Sequence, residues 1–382
     1  MLGLAGAGSS VLAENASIVA FNPAGMTALE GTNVSLAASY WFLKSDPQLT
    51  SAATPGIPAT APPTDGGDDS LVDQLIPGFY ATKQVNNNLW AGLSVSAPFA
   101  IVVDSDRDGA NRFLSDNLDI KIFSASTSLA YAVTPTLSVG GSLNFEYGIF
   151  DIKTGLPLPP FTGSIKRKYT NFDVGYTLGA TKKLGQHAKV GVSYRHGVNH
   201  EFDGTRNIAG IKVPSATDVD LPQLLTVSGE TKVTEKVTLL GDVQWAEWSD
   251  NKQTLIVEPG GNTILARDWN DTWRFAIGMQ YQYRPNLKLR AGFAYETSPI
   301  DANRRVPDAP LDTQIKYAVG ANYVVSDSLS IDIGYQYADA GENNIRLSAA
   351  DYGVDLNGKM PTEAHIVGIQ FNKKLGMRQA YK

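Results

Sequence analysis

The chain has 4 histidines and no cysteine, so the residues able to do covalent chemistry are few. Without cysteine there is no thiol nucleophile, thiolate metal ligand or disulfide. A catalytic site would need a nucleophile and a base within hydrogen-bond reach of each other. His187 falls in a short turn and His365 near the start of the last regular segment. His196 and His200 fall together near the end of one segment, where a rim site could form. Serines are plentiful, but no nucleophile motif accompanies them, so no catalytic residue, metal ligand or cofactor is assigned. The formal charge of -6 comes without a basic tract, which argues against nucleic acid as a partner.

The elements carrying these side chains are strands. In Thr272-Trp273-Arg274-Phe275-Ala276-Ile277-Gly278-Met279-Gln280-Tyr281-Gln282-Tyr283, one face holds Trp273, Phe275, Ile277, Met279, Tyr281 and Tyr283. The other holds Arg274, Ala276, Gly278, Gln280 and Gln282. Successive strand side chains point to opposite faces, so this segment separates an apolar medium from a polar one. The pattern recurs near 33–45, 76–86, 88–101, 120–133, 137–151, 167–183, 188–203, 224–233, 237–257, 272–283, 287–298, 313–325, 329–339 and 363–375. Short turns alternate with long connections near 46–75, 102–119, 152–166, 204–223, 258–271, 299–312 and 340–362.

Segments of this length cross a bilayer when tilted by about 45°. The fold expected is an all-β transmembrane antiparallel barrel of about 14 strands, with short periplasmic turns and long extracellular loops. A soluble sandwich would not segregate its loop lengths so regularly. The barrel is assigned to residues 33–375, with a tail at 376–382. By parity, Arg195, Asp242, Gln244, Arg274, Lys288, Arg290, Glu296, Lys316, Asp332 and Gln336 face inward. Such charges either pair with one another or, at one or two cations, meet a ligand carboxylate. Arg195, Arg274 and Lys316 are the candidates for the second role.

Residues 1–32 do not alternate and are assigned to an N-terminal plug or hatch in the lumen. A turn signal, Asn22-Pro23, breaks its compact apolar stretch. The start has no Lys or Arg and does not read as a secretory signal, so the sequence is expected to be a mature or truncated form. Pro98 interrupts the third segment. Proline cannot donate to a ladder and a closed barrel has no edge strand to hide it. Either a bulge or kink forms there, or the strand ends near the rim.

The stretch Ala13-Glu14-Asn15-Ala16-Ser17-Ile18-Val19-Ala20-Phe21-Asn22-Pro23-Ala24-Gly25-Met26-Thr27-Ala28-Leu29 resembles the start of the FadL/TodX-type outer-membrane hydrophobic-compound transporters. Gly92-Leu93-Ser94-Val95-Ser96-Ala97-Pro98-Phe99 looks like that family's third strand. Val190-Gly191-Val192-Ser193-Tyr194-Arg195-His196 and Glu201-Phe202-Asp203-Gly204 resemble its mid-chain motif. Asp220-Leu221-Pro222, Gln244-Trp245-Ala246-Glu247-Trp248-Ser249 and Trp269-Asn270-Asp271-Thr272 are similar to later signatures. So are Leu289-Arg290-Ala291-Gly292-Phe293-Ala294-Tyr295-Glu296-Thr297-Ser298-Pro299 and Val306-Pro307-Asp308. The chain departs from the family in the missing residues before the hatch motif, a short loop after the fifth strand, and no terminal aromatic residue.

The resemblance implies a 14-stranded barrel with a hatch, carrying fatty acids or aromatic hydrocarbons across the outer membrane of a Gram-negative bacterium. It implies a third strand kinked at Ser96, Ala97, Pro98 and Phe99, opening a lateral gap that Asn22, Pro23 and Ala24 would face. Ligand would bind first in the loops, with Leu156, Leu158 and Phe161 as apolar candidates, or these residues simply pack their loop. The expected surroundings are outer-membrane lipid and lipopolysaccharide, with the protein a monomer. A general porin for small polar solutes, a rim enzyme and a loop-based adhesin or phage receptor remain as alternatives.

Overall fold

The computed structural model describes residues 2–53, 70–104, 117–155, 164–348, 352 and 355–375. Its wall is a closed antiparallel barrel of 14 strands. The first six strands are Thr32–Ser45, Gln74–Gln84, Leu89–Asp104, Asn117–Ala132, Leu137–Gly155 and Ser164–Leu184. The seventh and eighth each run as two pieces, Ala188–Arg195 with Val198–Ile208, and Ile211–Leu221 with Leu224–Lys232. The last six are Val237–Ala246, Thr272–Arg284, Leu287–Glu296, Gln314–Ser326, Leu329–Asp339 and Thr362–Leu375. The first strand pairs with the second and also with the fourteenth, from Thr32↔Leu375 to Ser45↔Thr362, which closes the ring. This pairing joins the first and last strands, which would otherwise be free edges in lipid.

The alternation is realised side chain by side chain. In the tenth strand Trp273, Phe275, Ile277 and Met279 are exposed on the outer face, while Ala276, Gly278 and Gln280 are buried.

Two expected boundaries are corrected. The segment expected as a long loop at 204–223 is a hairpin that extends the seventh and eighth strands. Ala209 and Gly210, both at positive φ, make its two-residue turn in the conformation such hairpins favour. The breaks in those strands lie side by side, because Pro222 lacks an N–H and a Cβ on Gly197 would sit 2.8 Å from the Gln223 nitrogen. The single strand expected at 237–257 stops at Ala246. Asp271 accepts hydrogen bonds from Trp245 Nε1 (3.0 Å) and the Ser249 amide (3.1 Å), turning the chain away from the wall. A short hairpin, Gln253–Val257 with Thr263–Ala266, follows.

A three-stranded sheet of Gln48–Ala53, Asn344–Leu347 and Asp355–Lys359 lies at the loop end, over an apolar cluster of Leu49, Val306, Ile345, Leu347, Leu356 and Met360. The N-terminal segment forms short 3-10 turns, Leu2–Leu4, Ala16–Ala20 and Pro23–Ala28. Asn15 and Asn22 cap the last two, accepting from the Ser17 and Ala24 amides at 3.1 Å. The segment packs so closely on inward-facing wall residues that a Cβ at Gly191 would run into the Ser10 carbonyl, and one at Gly292 into the Leu4 backbone.

Candidate functional site

The ladder between the second and third strands is interrupted part-way along the wall. It runs from Gln84↔Trp90 to Phe79↔Val95 and stops there. Beyond that point the second strand stays paired to the first as far as Trp41↔Gln74, and the third stays paired to the fourth. The third strand carries a bulge on its fourth-strand side: Ser96 pairs with Ser124 and Phe99 with Ile122, leaving Ala97 and Pro98 opposite Phe123 alone. The second and third strands meet again at the outer end, where Leu71 bridges Val103 and the Val72 amide donates to the Val102 carbonyl at 3.1 Å. Residues 74–78 and 96–101 thus flank a window in the wall.

Pro77 faces this window from the second strand as Pro98 does from the third. Each proline removes a donor that a continuous ladder would use, so the two edges cannot zip. A cavity of about 600 Å³ reaches the window from the lumen, lined there by Ile76, Pro77, Gly78, Ser96, Ala97 and Pro98. Asn15, Ser17, Ala20 and Phe21 of the N-terminal segment line the same cavity. Phe21 is 40% exposed, unusual for a Phe in a segment otherwise so buried.

Asn22, Pro23 and Ala24 are placed elsewhere than expected. The Asn22 Nδ2 donates to the Ser10 carbonyl at 2.7 Å and to the Ala180 and Val192 carbonyls at 3.2 Å. Ala24 lies against Gly140 of the fifth strand. The expectation that these residues face Ser96, Ala97, Pro98 and Phe99 is therefore corrected. A fully buried amide must satisfy its donors, and Asn22 does so on the sixth and seventh strands.

Above the window the barrel interior turns apolar. Val103, Leu118, Ile120, Ile122, Phe150, Tyr169 and Phe202 form one buried cluster, against which Phe99 and Ile101 pack. Phe150 meets Phe202 edge-on, with ring centroids 5.6 Å apart. Trp248 lies 6.4 Å from Phe99 and 5.3 Å from Trp269. Pro98 lines the lumen cavity while its neighbour Phe99 packs against this apolar cluster, so one dipeptide joins the two.

The inward cations are already engaged. Arg195 pairs with Glu146, a fully buried carboxylate that also meets His200 Nε2 at 3.2 Å. The His200 Nδ1 lies 2.8 Å from Asn171 Oδ1. Lys316 Nζ lies 2.7 Å from Glu296. Arg274 donates to Gln244 (3.3 Å) and the Ala5 carbonyl (3.4 Å), with Asp242 at 3.7 Å. In the N-terminal segment Glu14 pairs with Lys288 and with Arg290 at 2.6 Å. Burial alone would raise this carboxyl, but the two cations overcome it and hold it down at about 2.

Leu156, Leu158 and Phe161 lie outside the described residues. Pro77 and the cluster residues Ile120, Ile122, Phe150, Tyr169 and Phe202 escaped the sequence reading. A signal exists for the cluster. Along the fourth strand the buried positions are Leu118, Ile120, Ile122, Ser124, Ser126, Ser128 and Ala130, with Phe123, Leu129 and Tyr131 exposed. The apolar parity flips at the adjacent pair Ile122-Phe123. It flips again at Ile149-Phe150 in the fifth strand, where the wall leaves lipid and the interior becomes the apolar side.

Residues 1–375 match the family described as outer membrane protein transport protein (OMPP1/FadL/TodX). The long-chain fatty acid transport protein of Escherichia coli (strain K12) is 21% identical over 420 residues, covering 97% of this chain and 91% of the relative. The putative outer membrane protein NMB0088 of Neisseria meningitidis serogroup B is 24% identical over 423 residues, covering 95% and 90%. The fold matches the crystal structure of a Pseudomonas aeruginosa FadL homologue with a TM-score of 0.88 at 18% identity, covering 98% of this chain and 97% of that one. It matches the Ralstonia pickettii toluene transporter TbuX with a TM-score of 0.71 at 16% identity, covering 98% and 97%. This chain belongs to the OMPP1/FadL/TodX family of outer membrane transport proteins.

Proposed function

We propose that the protein carries apolar small molecules passively across the outer membrane and releases them sideways, through the window between its second and third strands. The observation carrying this reading is the cavity that runs from the lumen to Ile76, Pro77 and Pro98 at the unpaired edge. A polar pore gives an apolar solute no affinity, whereas an apolar cluster partitions it from water. Burying about 300 Å² of ligand at roughly 25 cal/mol per Å² yields on the order of 7 kcal/mol before entropy losses. The ligand would enter by parting the apolar cluster of Phe150, Tyr169 and Phe202, pass Phe99, and leave by the window into the bilayer.

The names of relatives support two ligand classes, long-chain fatty acids and toluene. The cluster favours a neutral aromatic hydrocarbon. It is rich in rings, and Arg195, Arg274 and Lys316 each already hold a protein acceptor. A fatty acid carboxylate would have to displace one of these partners. In this reading residues 1–32 act as a hatch that closes the lumen below the window. The barrel, whose first strand pairs with its own fourteenth, works as a monomer, and its outer face meets lipid and lipopolysaccharide.

Calorimetry of the purified barrel in detergent against toluene and oleate tests the proposal. Saturable toluene binding that weakens in Phe150→Ala supports the aromatic reading. Oleate binding that weakens in Arg195→Gln turns it to fatty acids. Binding of neither ligand rejects the cluster as the site.

A further inference from the structure

Beneath the lumen cavity lies a second one, of about 310 Å³, lined by the short turn around Ser326, Asp327 and Ser328 and by Ser330, Asn322 and Asn372. It opens at the end of the barrel opposite the long loops. Among the described residues, only Glu14 and Asn15 line both cavities. The Asn15 side chain is committed to capping its own turn through the Ser17 amide and hydroxyl. Glu14 alone reaches across to the wall, accepting from Lys288, from Arg290 at 2.6 Å and from Gln280 at 3.3 Å. Arg290 in turn holds Asp332 at 2.5 Å.

Polar groups line both cavities, with Thr226, Gln244 and Gln336 above and Asn322, Ser330 and Asn372 below, and the upper cavity also carries apolar residues such as Leu4, Leu12, Ile333 and Ile369. A hydrated ion exchanges its water for these hydroxyl, amide and charged groups at little cost. We propose that the lumen below the wall window is a second permeation route, for small hydrated ions, and that the side chain of Glu14 is its septum. The septum is one flexible side chain held by ion pairs, not a packed core, so releasing those pairs joins the two cavities. With Glu14 removed, Lys288 and Arg290 lose their shared counter-ion and the opened passage favours anions.

The test is conductance of the purified full chain in planar bilayers in potassium chloride. Glu14→Ala should raise the mean conductance several-fold over the native chain, and Glu14→Gln, which keeps the volume but not the charge, by less. In a salt gradient the reversal potential of Glu14→Ala should shift towards chloride. Native-level conductance in Glu14→Ala, with the heat-modifiable migration of a folded barrel intact, overturns the proposal. Should Glu14→Ala fail to fold, Lys288→Ala leaves Glu14 its Arg290 partner and should still give a partial rise. The absence of cysteine allows an independent reading. A membrane-impermeant thiol reagent added at the loop side should label Ser330→Cys several-fold faster when Lys288→Ala is also present, and equal rates would reject the septum.

Discussion

Phe79 and Val95 form the last register pair between the second and third barrel strands, and everything proposed for ligand release begins at that pair. Below it the wall is continuous. Above it Pro77 and Pro98 deprive the two edges of donors, and the bulge at Ala97 and Pro98 carries the third strand off its register. Restoring the ladder should therefore close the window. Deleting Ala97 and replacing both Pro98 and Pro77 with valine returns one residue opposite Phe123 and supplies the two missing N–H groups. This variant should fold and lose uptake of the apolar ligand in whole cells. Unchanged uptake by a folded, surface-exposed variant would sink lateral release.

Phe202 supplies a second measurement. It is 1% exposed and touches Phe150 edge-on inside the apolar cluster. Phe202→Ala should cost roughly 3–5 kcal/mol of stability, as large-to-small changes in a packed interior do. It should also weaken aromatic ligand binding, because part of the cluster is gone. Tyr169→Phe separates the two effects. It keeps the ring but loses the 2.8 Å bond to Ser215 Oγ, so it should lower the urea midpoint slightly and leave ligand affinity as it was.

The alternation in segments such as 272–283 was enough to read the barrel, its strand number and the inward set from Arg195 to Gln336. Period 2 is imposed by the backbone and survives any choice of side chain. Pro98 revealed the third-strand irregularity for the same reason, since its missing donor is a local property. Pro77 was lost inside a short apolar run where nothing marks which neighbour it fails to pair with. The cluster was lost because the parity rule assumes one apolar medium outside. At Ile122-Phe123 and Ile149-Phe150 that medium ends, and the same alternation then points apolar groups inward. The docking of Asn22 on the sixth and seventh strands depends on contacts across some 158 to 170 residues of sequence, which no local pattern encodes.

The attachment of the N-terminal segment should depend on pH through Glu14. Its carboxyl is held at about 2, below the ordinary value of 4.5. A group lowered on folding stabilises above its unfolded value and loses that contribution as pH falls towards its folded value. The latch should therefore be complete above about pH 5 and progressively lost between pH 4.5 and 2, a change on the order of 3 kcal/mol in the limit of full burial. Hydrogen exchange of the amides in residues 2–29 should quicken over that window. Glu14→Gln should show fast exchange already at neutral pH and a flatter acid response. An acid response identical to the native chain's would assign the latch to another group.

Arg195 and Glu146 are an unequal pair, and the inequality makes the last prediction. Glu146 is fully buried, whereas the Arg195 side chain keeps 25% of its exposure. Removing one partner of a buried pair leaves the other uncompensated, and the cost scales with how far that survivor is from water. Glu146→Ala strands a cation that still reaches solvent but also deprives His200 of its 3.2 Å partner. Arg195→Gln leaves Glu146 with His200 and a new amide donor. Because the Glu146 carboxylate is fully buried and the Arg195 side chain is not, the Arg195 change should nonetheless lower the urea midpoint below that of the Glu146 change, by an amount equivalent to roughly 1–2 kcal/mol. If instead Arg195 serves mainly as a receptor for a ligand carboxylate, Arg195→Gln will leave stability near native and abolish oleate binding while sparing toluene. Measuring both midpoints and both affinities on the same preparations separates a structural ion pair from a head-group site.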